Sequence, residues 1–462
     1  MRRSFGFSPF HGRPRELQDN WQRKHLRAAE SRKIGWGEDV GEVGIFGVPL
    51  ALALGAALAI YMAWAIGAND VANAMGTSVG SGALTITGAV IVAGVLEFTG
   101  AFLAGGHVTN TVRKGMLDEA LVAQNPELVL YGMLAALASA GTLLIVATRF
   151  GLPVSTTHSI VGAIVGFGAV GLGVDAVAWG KIAQIVASWV TSPLIGGVMA
   201  FLIFGLIRSR VLDRDEPIEE LARIGPFFFF YVFFIMGLVT LFKGLKNLNL
   251  DLDLPQAFAA SIGLGLFGAA FGFVLMRRAV RRAGSVADGE QFKHVERIFV
   301  ILQIMTACAV AFAHGSNDVA NSIGPLAAVH SIVTTGAAAK TASVEPWMLA
   351  LGGFGIIVGL ATWGYRVMET IGTKITELTP SRGFAAELAA ATTIVLATRL
   401  GIPVSTTHIL VGSVLGVGLA RGIGALDLRV VGTIIVSWVA TLPISAALSV
   451  FFFYFFKGLL GS

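Results

Sequence analysis

Residues 147–168 read ATRFGLPVSTTHSIVGAIVGFG, and residues 397–418 read ATRLGIPVSTTHILVGSVLGVG; the two are identical at 14 of 22 positions. Working outward, GANDVANA at 67–74 returns as GSNDVANS at 315–322. Ser188-Trp189 returns as Ser437-Trp438, and Pro193 as Pro443. Asp70 to Asp318 is 248 residues, Ser155 to Ser405 is 250, Ser188 to Ser437 is 249 and Pro193 to Pro443 is 250. Four features in one order at one spacing mark an internal duplication. The chain divides into a polar, basic tail at 1–44, a first repeat at 45–210, an intervening 211–294 and a second repeat at 295–462.

What surrounds these motifs is apolar. Of 462 residues, 55% are hydrophobic, 13% are charged, and mean hydropathy is +0.76. An ordinary soluble domain carries about 25% charged residues, so the chain lacks the polar surface of a large soluble protein. A helix needs about 20 apolar residues to cross a bilayer. Long runs meet this near 46–66, 83–105, 128–148, 177–207, 226–242, 256–276, 297–313, 346–365, 384–398 and 428–456. Two further stretches, 152–174 and 402–420, begin near Pro, carry several Gly and open with hydroxyl residues, which suits re-entrant or broken helices. The expected fold is all-α, a polytopic membrane protein of about 12 membrane segments in two repeats. Duplicated halves with interrupted helices at matching places point to a secondary transporter with its site at the repeat interface.

The remaining composition narrows the class. A net charge of +5 is small for this length and reads as loop charge, not as a nucleic-acid surface. Cys308 is the single cysteine, which excludes an intramolecular disulfide and a thiolate metal cluster. No nucleotide-binding loop, metalloprotease helix or Gly-x-Ser-x-Gly elbow is present, so neither an ATP-driven pump nor an enzyme is supported. The tail holds no apolar region of the secretory kind. Trp21–Trp36 reads as an interfacial helix or as a poorly ordered terminus. Phe227–Phe230 reads as lipid-facing filler, and the charged stretches 208–224 and 277–297 as solvated loops.

Chemistry concentrates in the repeated motifs. An ionised carboxylate within an apolar segment costs several kcal/mol, by contested estimates about 2.5 upward, so Asp70 and Asp318 need partners. Asn69, Asn73, Asn317 and Asn321 flank them, and Asp with Asn offers hard oxygen ligands suited to Na⁺ or a proton. The competing reading is a structural hydrogen-bond network. In both copies of Pro-Val-Ser-Thr-Thr-His, Pro then hydroxyls resembles the start of a helix, where free N–H groups and the dipole favour an anion. Ordinary N-capping is the alternative, and the two are compatible. No Lys or Arg lies within either motif; Arg149 and Arg399 stand six residues before the first Ser. An anion beside two carboxylates therefore calls for coupling cations. His158 and His408 are read as packed turn histidines, His107 and His314 as without a role, and Glu97 and Glu387 as gating, ion-access or structural carboxylates.

These segments, with TELTPSRGF at 376–384, resemble the inorganic phosphate transporter (PiT) family over nearly all of 45–460. The resemblance implies an inverted-repeat symporter of the cell membrane, plasma or inner, importing phosphate with Na⁺ in some members and H⁺ in others, without a cofactor. It implies phosphate binding by Ser155, Thr156, Thr157, Ser405, Thr406 and Thr407. It implies Na⁺ binding by Asp70, Asn73, Asp318 and Asn321, with Asn69 and Asn317 as weaker candidates. The intact Asn-Asp-x-x-Asn pair resembles the sodium-coupled members, and wide apolar faces are compatible with a homodimer. Sulfate or metal-phosphate transport on the same architecture is the alternative, with an anion channel or receptor more remote. Family members place their termini outside, whereas a basic tail favours the cytoplasmic face, so orientation stays open.

Overall fold

The computed structural model describes residues 44–45, 48–113, 116–243, 253–283, 290–338, 344–399 and 404–461. Nearly all of the predicted tail, including Trp21–Trp36, lies outside the described residues, as do the side chains of His107 and Arg399. What is described is helices and their connections, apart from a two-residue strand pair, Gly44–Ile45 with Val48–Pro49, and an isolated bridge between Leu117 and Val177.

The first half runs through α1 (Leu50–Asp70), α2 (Ala72–Gly80), α3 (Ile86–Arg113), α4 (Glu119–Gln124), α5 (Pro126–Arg149), α6 (Thr156–Gly171) and α7 (Trp179–Ile207). A peripheral hairpin follows, α8 (Pro217–Lys243) with α9 (Leu254–Ala283). The second half holds α10 (Gln291–Thr335), α11 (Pro346–Trp363), α12 (Tyr365–Glu369), α13 (Pro380–Arg399), α14 (Thr406–Arg421) and α15 (Leu428–Leu460). Among the described residues nine helical segments are long and apolar enough to cross a membrane, and α6 and α14 are shorter apolar helices. A helix satisfies its own backbone where water is absent, which is why such sequences fold this way in lipid. The central α5 is 83% buried over its apolar window, whereas those of α9 and α15 are 22% buried and form the rim.

Several boundaries differ from the sequence reading. The span expected at 46–66 continues to Gly80 with one interruption at Val71, and that expected at 297–313 becomes a 45-residue helix ending at Gly336. The polar motifs do not end these helices because their side chains find partners across the molecule. Gly336, at φ 67°, supplies the left-handed residue that stops α10. Phe227 is 57% exposed as expected, but Phe228 and Phe229 are buried at 2% and 0%, Phe228 against Phe299 and Phe384 of the second half and Phe229 against Phe271 of α9. The stretches 208–224 and 277–297 are partly helical, since α8 starts at Pro217 and α9 reaches Ala283.

The halves are interlocked reciprocally. The short helix α6 packs on α15 and α14 packs on α7, while α10 packs on α3 and α11 on α1. Glycines make the close approach possible. A Cβ on Gly162 would fall 2.6 Å from the Leu442 carbonyl oxygen, and one on Gly412 would fall 2.3 Å from that of Pro193. Pro193 also has no N–H to give the Trp189 carbonyl four residues earlier. His408 Nδ1 lies 3.1 Å from that oxygen.

Candidate functional site

The Val-Ser-Thr-Thr-His part of each repeated motif arrives at a helix start, Pro403 lying outside the described residues. Ser155 Oγ accepts from the His158 N–H at 3.3 Å, and Ser405 Oγ accepts from the His408 N–H at 3.2 Å. The serines therefore cap α6 and α14, each satisfying one of the free N–H groups of the first turn. The two starts adjoin: the His158 and His408 rings meet edge-on at 4.2 Å between centroids, each stacked on a tryptophan, Trp189 and Trp438. This agrees with the reading of both histidines as packed turn residues.

The Asn-Asp-x-x-Asn motifs meet these starts from the other side. The Thr156 hydroxyl donates to Asp70 Oδ2, and Asn73 Nδ2 donates to Thr407 Oγ1 at 2.8 Å. Thus Asp70 binds its own half and Asn73 reaches the other. Asp70 and Asn73, three apart, are 1% and 2% exposed, and each keeps one buried oxygen, Asp70 Oδ1 and Asn73 Oδ1, without a hydrogen-bond donor. Asp318 and Asn321 are 5% and 3% exposed on α10. Asp70, His314 and Asp318 bring one ligand atom each within 4.8 Å of one another. A small cavity here is lined by Asn73, His314, Asn317, Thr406 and apolar neighbours. Thr157 is half-buried at the start of α6.

Asn69 is committed within the protein. Its Nδ2 donates to Thr148 Oγ1 at 2.9 Å and to the Leu152 carbonyl at 3.0 Å, and its Oδ1 accepts from the Val154 N–H at 3.1 Å. It fastens the segment leading into α6 onto α1.

The sequence reading of His314 needs correction. It is 1% exposed, with Nδ1 3.1 Å from Glu97 Oε1 and Nε2 2.8 Å from Asp318 Oδ2. The signal was its position four residues before Asp318, one turn away on the same face. Glu387 forms a second buried carboxylate network that the sequence reading did not resolve. It accepts from the hydroxyls of Thr77, Ser78 (2.7 Å) and Thr306 (2.6 Å), with Gln303 Nε2 at 3.5 Å. Its donors are all neutral, and such a group is costly in a dry interior unless it is fully hydrogen-bonded or neutralised.

A multi-pass helical membrane protein with carboxylates, carboxamides and hydroxyls converging between its halves belongs to the class of membrane transporters. The chain is a member of the phosphate transporter family, whose model matches residues 66–449. It is 44% identical over 400 residues to a putative phosphate permease of Haemophilus influenzae, spanning 86% of this chain and 95% of that one. It is 46% identical over 396 residues to a putative phosphate permease of Pyrococcus abyssi, spanning 86% and 95%. An inorganic phosphate transporter of Arabidopsis thaliana, described as chloroplastic, is 46% identical over 430 residues, spanning 87% and 71%. A solved structure described as the sodium-dependent phosphate transporter aligns with TM-score 0.80 and 40% identity, covering 88% of this chain and 99% of that one.

Proposed function

We propose that this protein imports inorganic phosphate across a cell membrane, plasma or inner, by symport with Na⁺. The two repeats, inverted with respect to one another, alternate access to a site held between them. Ser155, Thr156 and Thr157 with Ser405, Thr406 and Thr407 present phosphate with hydroxyls and the N–H groups of two facing helix starts. Asp70, Asn73, Asp318 and Asn321 hold the coupling cations beside it, with Asn317 and Asn69 contributing to their setting. Glu97 and Glu387 lie on the route by which ions reach the site.

The observation that carries this reading is the pair of buried oxygens without donors, Asp70 Oδ1 and Asn73 Oδ1, next to a second carboxylate 248 residues away in sequence. Buried acceptors are rarely left empty, and a small hard cation satisfies both at once. Cations there also offset the carboxylates that would otherwise repel the anion. Phosphate near neutral pH retains a proton that it can donate to an aspartate, whereas sulfate has none, so two carboxylates favour phosphate.

The test is labelled phosphate uptake into proteoliposomes under an inward Na⁺ gradient or an inward proton gradient, with excess unlabelled sulfate. Uptake driven by Na⁺ and indifferent to sulfate supports the proposal. Uptake driven only by protons removes the ion assignment, and uptake of sulfate in place of phosphate removes the substrate.

A further inference from the structure

The reciprocal packing fixes which residues correspond between the halves more finely than the sequence repeat does. A Cβ on Gly67 would lie 1.9 Å from the Ile356 carbonyl oxygen, and one on Gly315 would lie 2.1 Å from that of Glu97. A second pair repeats the match: Gly359 meets the Trp64 carbonyl oxygen at 1.9 Å, and Gly100 meets that of Phe312 at 2.2 Å. Gly67 thus corresponds to Gly315 and Ile356 to Glu97. Ile66, one residue before Gly67, corresponds to His314.

The two halves place different chemistry at these matched positions. Ile66 and Ile356 are fully buried hydrocarbon, whereas His314 and Glu97 are equally buried and polar. Asp70 therefore faces no imidazole from its own half; one of its oxygens takes a neutral hydroxyl and the other is bare. Asp318 has His314 Nε2 2.8 Å from Oδ2, and Glu97 grips the far nitrogen of the ring. Glu97 and Asp318 contact His314 directly, and an Asp70 oxygen lies within 4.8 Å of a ring nitrogen. With both nitrogens against carboxylates, the ring is fixed in orientation and occupies part of the coordination space of Asp318.

We propose that His314, held by Glu97, is a positioning residue that makes the two cation half-sites unequal, so that the tighter coupling cation sits on the Asp70 half. This rests on the cation-coupled reading above. A cation at Asp70 meets two uncommitted oxygens, those of Asp70 and Asn73. A cation at Asp318 must share a carboxylate whose Oδ2 already lies against the ring. The purpose of a single-copy pair on a duplicated backbone is to give two similar sites an order of filling.

The test compares Asp70→Asn with Asp318→Asn in two backgrounds: the natural chain, and a symmetrised chain carrying His314→Ile with Glu97→Ile. Removing both members of the pair together leaves neither stranded without the other, and frees Asp318 Oδ2 of the ring 2.8 Å from it. Affinity is read as equilibrium binding of labelled Na⁺ to purified protein in detergent, so a variant that no longer transports still reports. In the natural background, Asp70→Asn is expected to weaken the tighter Na⁺ binding step at least about 10-fold, equivalent to about 1.4 kcal/mol, and Asp318→Asn to change that step by less than half as many fold. In the symmetrised background the two variants should become alike. Equal effects in the natural background, or an inequality that survives symmetrisation, would overturn the proposal. If the isoleucine pair does not fold, His314→Leu with Glu97→Met keeps similar buried volume, equally frees Asp318 Oδ2 and supplies the same comparison. Natural protein that binds no Na⁺ at all fails the cation-coupled reading itself, an outcome distinct from equal half-sites.

Discussion

Asp70 and Asp318 stand at matching places in two halves whose backbones interlock reciprocally, yet they sit in different company. The first lies where α1 gives way to α2 and takes a hydroxyl; the second lies within the unbroken α10 and takes an imidazole. The same contrast returns at Glu387. At the 250-residue spacing of the serine motif its counterpart is Leu137. At the 248-residue spacing of the aspartates, Thr77, Ser78, Thr306 and Gln303 correspond to Pro325, Leu326, Leu58 and Gly55. A polar network on one side is thus a hydrocarbon contact on the other, where a Cβ on Gly55 would touch Leu326 and Leu134. The two halves thus share reciprocal backbone contacts and differ at a few buried residues.

Filling the interlock itself disturbs both halves alike. Gly412→Val and Gly162→Val would each drive a side chain into the backbone of the opposite half. Overpacking of this kind costs about 1–3 kcal/mol or more, and both variants should lower thermal stability in detergent by similar amounts. A variant as stable as the natural protein would show that the halves are not seated on these glycines.

The next effect separates the halves at Glu387. Glu387→Leu copies its counterpart but strands three hydroxyls and an amide, at about 1–3 kcal/mol for an unsatisfied buried group. Glu387→Gln retains an acceptor and should be milder. The reverse change, Leu137→Glu, places a carboxylate among hydrocarbon and should abolish folded protein. Thermal unfolding of the purified variants checks all three, and Leu137→Glu at natural stability would refute the contrast.

A smaller effect sharpens the comparison at the hydroxyls. Thr156→Val removes the donor to Asp70, and Thr407→Val removes the acceptor of Asn73. Hydrogen bonds to charged groups are worth about 1.5–3 kcal/mol and neutral ones about 0.5–1.5, so the first should impair Na⁺-dependent uptake more than the second. Equal losses would argue that neither bond bears on the cation. Least is expected from the serine caps: Ser155→Ala and Ser405→Ala should each cost about 1 kcal/mol of stability, with weaker apparent phosphate affinity when combined. Unchanged affinity in the double variant would count against the hairpin as the anion site.

Much of this was legible before the structure. The all-helical membrane fold follows from long apolar runs, and Asp70, Asn73, Thr156 and Thr407 were marked by recurring in both halves. His314 was not legible for the opposite reason: it occurs once, and a lone histidine in an apolar run carries no sign of a role. Its partner Glu97 lies 217 residues away in sequence, beyond what local periodicity reveals. The inward turn of Phe228 and Phe229 was hidden because an unbroken aromatic run has no period to say which face is lipid. The continuation of α10 through its polar motif was hidden because partners from other helices, not neighbours in sequence, satisfy those side chains.

The most direct test of the central claim is equilibrium binding of labelled phosphate to the purified protein, measured with Na⁺ and with an inert cation in its place. The account predicts that Na⁺ tightens phosphate binding at least about 10-fold, a coupling of about 1.4 kcal/mol, and that Asp70→Asn abolishes the gain. Phosphate binding of equal strength in both salts would contradict a site in which cation and anion are held together between the two halves.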